Sequence, residues 1–116
     1  NIVKEQLKKW FYQKANDYLT KRTKNLAGKV GIHPIKINIK EQQKRWGSCT
    51  PTNVINFNWK IIMAPVNVID YIIIHELCHL KYPSHSEDFW NEVSTFCPDF
   101  QKRRDWLRVK GPELSF

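Results

Sequence analysis

The sequence predicts an α+β domain, and three observations carry that expectation. Residues 2–26 contain neither glycine nor proline and place apolar side chains at helical spacing. Residues 35–40 then alternate strictly between apolar and polar, and residues 65–82 form a densely apolar segment bounded by Pro65 and Pro83. The 116 residues, 41% hydrophobic and 26% charged, suffice for one core and exclude wholesale disorder.

Each element has a local reason. In the first segment Val3, Leu7, Trp10, Phe11, Tyr18, Leu19 and Leu26 recur with lysines between them, which predicts a long amphipathic helix stopped by Gly28, Gly31 and Pro34. Ile35, Ile37 and Ile39 against Lys36, Asn38 and Lys40 predict a half-buried strand. A second strand is expected over Lys44 to Cys49. The turn formers Thr50-Pro51-Thr52-Asn53 then lead into a third, where Ile55, Phe57 and Trp59 alternate with Asn56 and Asn58. The expected sheet is small and antiparallel. Pro65 suits a first helical turn and Pro83 cannot continue a helix. Between them Val66, Ile69, Ile72, Ile73, Ile74, Leu77 and Leu80 leave almost no wholly polar side, so this helix is expected to be buried. Ser86 is a suitable N-cap, with Glu87 and Asp88 in the first turn of a helix that buries Phe89, Trp90, Val93 and Phe96. A last helix is expected from near Pro98, using Phe100, Trp106 and Leu107. No repeat or linker divides the chain, which reads as one domain over residues 1–116.

Composition narrows the function classes. No apolar run reaches the length of a membrane span, and Asn67 and Asp70 interrupt the greasiest stretch, so neither a membrane helix nor a secretory leader is expected. Cys49, Cys78 and Cys97 form no CxxC pair, which argues against a disulfide framework and for a reducing compartment, the cytoplasm. The net charge is +8, and residues 1–29 hold eight cations against Glu5 and Asp17. Such a face can meet a polyanion, although a solvated helix is the commoner explanation.

The chemistry lies in the buried helix. His75-Glu76-Leu77-Cys78-His79 is HExxH, which sets two imidazoles four residues apart on one helical face and puts a carboxylate beside them. Such a pair converges on one cation, and zinc accepts imidazole nitrogen at about 2.0–2.1 Å. A third ligand cannot follow on the same helix, because six further residues would carry it about 9 Å along the axis. Pro83 breaks the helix and His85 follows two residues later, giving HExxH-x5-H. Satisfied core histidines are the bland alternative, but burying two imidazoles and a carboxylate without a metal is costly. His33, in the loop between Gly31 and Pro34, reads as a surface residue, and Cys78 reads as packing.

The run Arg45-Trp46-Gly47-Ser48-Cys49, together with Asn58-Trp59, Ala64-Pro65, HELCHLKYPSHS and Phe89-Trp90, resembles the YgjP-like metallopeptidase family (DUF45), related to the WLM and SprT-like zinc peptidases of the zincin superfamily. The likeness spans residues 44–108, and such proteins usually carry more N-terminal sequence, so this chain is expected to be the C-terminal catalytic part of a longer protein. The resemblance implies a zincin-like fold, Zn2+ as cofactor, His75, His79 and His85 as its ligands, and Glu76 as the catalytic carboxylate. Metzincins share the histidine spacing but have glycine where Tyr82 stands. A gluzincin-like third ligand would be Glu92, and only with His85 turned away.

The expected reaction is peptide-bond hydrolysis by a zinc-activated water with Glu76 as general base. Arg45, Tyr71 and Tyr82 are the candidates for transition-state or substrate contacts, although Arg45 could instead hold the sheet through a buried ion pair. Trp46, Trp59, Trp90 and Trp106 read as core. Zincins commonly receive substrate along an exposed edge strand, and residues 53–59 are the expected one. Two further classes stay open on charge. One is a zinc-dependent hydrolase of nucleotide phosphoanhydrides, the other a non-catalytic nucleic-acid-binding module.

Overall fold

The computed structural model describes residues 1–114. Helix α1 (Ile2–Val30) is followed by strands β1 (Lys36–Lys40), β2 (Gly47–Cys49) and β3 (Val54–Asn58) and a short tight helix over Trp59–Met63. Helices α2 (Val66–Lys81), α3 (Glu87–Phe96) and α4 (Phe100–Lys110) complete the domain, with a last tight turn over Gly111–Glu113. The α+β order is as expected.

The sheet departs from expectation in one respect. The β2–β3 hairpin is antiparallel, but the strand order is β1-β3-β2 and β1 runs parallel to β3, so the sheet is mixed. Two reversals, one through residues 41–46 and one at Pro51–Asn53, return β3 to the direction of β1 and set it between its neighbours. The third strand is therefore central, and residues 53–59 are not the open edge expected to take substrate. The open edges are β1 and β2.

Central placement changes what the asparagines do. The alternation predicts a wet face for Asn56 and Asn58, yet only 7% and 2% of their surfaces are exposed. Each is satisfied. Asn58 donates through Nδ2 to the carbonyls of Gln42 and Arg45 at 2.7 and 3.0 Å, and its Oδ1 accepts from Lys60 N–H. Asn56 Oδ1 accepts from Asn38 Nδ2 at 3.1 Å. Asn58 thus pins the 42–46 crossing to the sheet and Asn56 links β3 to β1, as buried polar groups must find partners.

Helix α1 buries side chains fully only in its second half, with Phe11 packed on the core before it. Ala15, Leu19, Thr23, Leu26, Ala27 and Val30 are buried, whereas Val3, Leu7 and Trp10 are 65%, 46% and 54% exposed. The expected stripe meets the core from Phe11 onward, and its first three members stay exposed. There Arg22 grips Asp70 of α2 with two hydrogen bonds of 2.8 Å, and this accounts for the acid that interrupts an otherwise apolar stretch. Helix α2 supplies the middle of the core through Val68, Ile69, Ile72, Ile73 and Leu77. In α3, Phe89 and Val93 are buried while Trp90 and Phe96 are half-buried, and α4 lies on the outside with Trp106 and Leu107 half-buried.

Gly28 does not stop α1, which runs on to Val30. Gly31 stops it, taking the left-handed conformation (φ 79°) and donating its N–H to Ala27 O at 2.8 Å. The two glycines should respond oppositely to alanine. Gly28 lies within an exposed turn, and a methyl group added there would meet no atom within 4 Å, so Gly28→Ala should stabilise the domain by about 0.5–1 kcal/mol. Gly31→Ala should destabilise it by about 1–2 kcal/mol. Urea unfolding of both variants checks the pair, and equal signs would contradict the assignment of the helix stop.

Candidate metal centre

Helix α2 sets His75 and His79 one turn apart, with ring centroids separated by 4.6 Å. Tyr82 N–H closes the last helical hydrogen bond on Cys78 O at 2.8 Å, and Pro83 has no N–H with which to continue. The chain turns back through residues 83–85 and is caught by α3, where Ser86 Oγ accepts from Phe89 N–H at 3.2 Å. That turn delivers the His85 ring to 4.6 Å from His79 and 5.4 Å from His75. One donor atom from each of the three histidines lies within 4.8 Å of the others.

The contacts of His79 suit a cation. Its Nδ1 is 3.1 Å from Tyr82 O, and a carbonyl only accepts, so Nδ1 carries the proton and Nε2 presents a lone pair. That lone pair faces His85 Nε2 at 2.9 Å. Three nitrogens around one zinc at about 2.0–2.1 Å would stand about 3.3–3.4 Å apart in a tetrahedral array. The 2.9 Å pair and the 4.8 Å bound bracket that spacing. The donor set therefore fits a zinc ion. The rings are braced by α3, since Phe89 stacks on His79 (4.2 Å, 24°) and Trp90 on His85 (5.6 Å, 19°).

Glu76 points from the same helix toward the sheet. It is 6% exposed, and its Oε2 lies 3.2 Å from His75 Nδ1. Strand β2 passes directly over it. A methyl group added at Gly47 would lie 3.1 Å from Glu76 Cγ and 3.3 Å from Oε2, so glycine is what allows the approach. Burial, and after it the charge of Glu76, push the Cys49 thiol up. Burial likewise pushes Cys78 up to about 12 and Cys97 to about 11, so both are packing thiols rather than nucleophiles.

The remaining candidates separate clearly. Tyr71 lies one turn before His75 with ring centroids 5.7 Å apart, and burial raises its phenol above the usual range so that it stays protonated. Tyr82 reaches the histidines through its carbonyl, while its ring lies 5.3 Å from Lys81 Nζ. Arg45 is exposed and lines a groove with Gln42, Trp46 and Leu107, which contains none of the triad. The buried ion pair considered for it is absent among the described residues. Since His85 faces His79, Glu92 is not needed as a ligand, and it stands outside the cluster. His33 is exposed, as expected. Trp59 is core, but Trp90 belongs to the site as well, a role that its spacing from His85 did not reveal.

Sequence comparison shows that this is a metallopeptidase domain. Residues 1–110 match the YgjP-like metallopeptidase domain profile, and the chain belongs to that family. The fold is similar to that in the crystal structure of the metallopeptidase zymogen of Pyrococcus abyssi abylysin, with TM-score 0.72 and 21% identity over 79% of this chain and 93% of that one. It is also similar to the zymogen of Methanocaldococcus jannaschii jannalysin, with TM-score 0.63 and 22% identity over 73% of this chain and 91% of that one. A search of the curated proteins returned no match. No helix of the described residues is long and apolar enough to cross a membrane.

Acid should strip the site. Burial holds His79 and His85 below the ordinary imidazole value of 6.5, with the other histidines' charges adding to the effect. A lowered folded value means that the folded domain resists protonation. The neutral, metal-competent state is therefore full above 6.5 and is lost as pH falls through the lowered values. Zinc affinity measured by chelator competition should be flat at alkaline pH and fall steadily once the pH has dropped below the ordinary imidazole value. A flat profile down to pH 5 would contradict imidazole ligation.

Proposed function

We propose that this metallopeptidase is zinc-dependent and hydrolyses peptide bonds through a zinc-activated water, with His75, His79 and His85 holding the ion and Glu76 acting as general base. The observation that carries the reading is the convergence of three imidazole donors within 4.8 Å of one another beside a carboxylate whose side chain is only 8% exposed. A set of three imidazoles with a position left for water is a donor set that suits catalytic zinc.

When bound, zinc supplies Lewis acidity, polarising a peptide carbonyl and making a water acidic enough to react near neutral pH. The protein's own groups do the rest. Glu76, screened from bulk water by β2, takes the proton from that water and passes it to the departing amine. The Tyr82 carbonyl keeps the His79 proton on Nδ1 throughout. Tyr71, a protonated phenol whose ring lies 5.7 Å from that of His75, is the candidate donor to the oxyanion. The free edge of β2, adjacent to Glu76, offers backbone groups to an extended substrate. The nucleotide and nucleic-acid readings rest on net charge and gain nothing from this geometry.

Two substitutions test the assignment. Glu76→Gln should keep zinc, measured by atomic absorption, while cleavage of a quenched fluorescent peptide falls about 100-fold or more. Equal turnover by this variant would overturn the role of Glu76. Gly47→Ala should also retain zinc but lose roughly tenfold in kcat, because its methyl presses on the Glu76 side chain. An unchanged kcat would show that β2 does not position the carboxylate.

A further inference from the structure

Arg104 differs from most arginines of the described residues in having an aromatic ring, not a carboxylate, as its partner. Arg22 pairs with Asp70, Arg103 with Asp99 and Arg108 with Asp105, whereas Arg104 enters no ion pair among the described residues. The acidic first turn of α3, Glu87 and Asp88, does not reach it. Arg45 has no acidic partner either, but it lines the groove away from the histidines.

The guanidinium carbon of Arg104 lies 4.6 Å from the Trp90 ring centroid, and Trp90 is stacked on His85. Phe100, one turn earlier on α4, stacks on the same indole with centroids 5.1 Å apart. Helix α4 therefore grips Trp90 with a ring and a guanidinium at i and i+4, which holds the cation on the indole that stacks on His85. Stacking engages only the face of a guanidinium and leaves its N–H edge free to bind. Helix α4 as a whole carries five cations against Asp105 alone.

Resting on the metallopeptidase reading above, we propose that Arg104, seated on Trp90, is a carboxylate-binding subsite that selects peptides carrying an acidic group next to the scissile bond. The carboxylate is either an aspartate or glutamate side chain or a free peptide C-terminus. An Arg–carboxylate pair bonds through two parallel N–H groups, so the neutral amide counterpart is discriminated against.

The test is equilibrium binding to the zinc-loaded Glu76→Gln protein, followed by calorimetry. Two matched peptide pairs are used: glutamate against glutamine within a blocked alanine tetrapeptide, and a free C-terminus against its amide. One acidic member should bind about tenfold more tightly than its neutral partner, and the pair that shows the gap identifies the source of the carboxylate. Arg104→Gln should close the gap, and Arg104→Lys should keep part of it. No gap in the parent, a gap that survives Arg104→Gln, or an equal loss for all four peptides would overturn the proposal. The metallopeptidase reading fails separately, if wild-type protein with full zinc cleaves no peptide, because the binding measurement does not depend on turnover.

Discussion

A straight helix can turn two imidazoles toward one ion but never three, and the site depends on how α2 resolves that limit at Tyr82. The N–H of this residue makes the last helical hydrogen bond on Cys78 O, and its carbonyl accepts from His79 Nδ1. One backbone unit therefore both ends the helix and settles which nitrogen of His79 is free. Pro83 enforces the ending from the other side. Ser86 then starts α3, and the aromatic pair Phe89 and Trp90 supports the rings that the turn has brought together.

The same economy governs the polar groups that the fold buries. Glu76 is tolerated against the sheet because glycine stands opposite it, and Asp70 is tolerated in an apolar helix because Arg22 reaches it from α1. Asn58 holds the crossing that leads into β2, and Asn56 ties β3 to Asn38 of β1. An unpartnered polar group in these places would cost about 1–3 kcal/mol, so the partners are part of the fold rather than decoration on it. Through them the sheet and α2 are held in one register.

What was legible in the sequence was what is local. The HExxH spacing, the break at Pro83 and the cap at Ser86 act over a few residues, and the structure places all of them where the sequence put them. The hairpin was legible through its turn. The order of the strands was not, because it is decided by which strand finds partners on both sides, and the asparagine alternation of β3 looks the same whether its polar face meets water or Gln42 and Arg45. Gly28 and Gly31 are equally plausible stops until the chain direction after the helix is known. Trp90 and Arg104 were hidden for a related reason: an aromatic ring at helical spacing reads as core, and only the turn before α3 and the packing of α4 show that this one touches a histidine and an arginine.

Helix α1 reaches past the body it is packed on, and this has a consequence for how the domain comes apart. Its first fully buried side chain is Ala15, and before that point the tertiary structure holds it through Phe11 packed on the core, the Tyr12 hydroxyl on Ile39 O and the Lys8–Glu41 pair. A solitary helix of about a dozen residues is marginal in water. The projecting half thus owes its helicity to the anchored half, as a plank over an edge is held by the weight at its fixed end. Loosening Leu19 or Leu26 would unravel residues that neither of them touches.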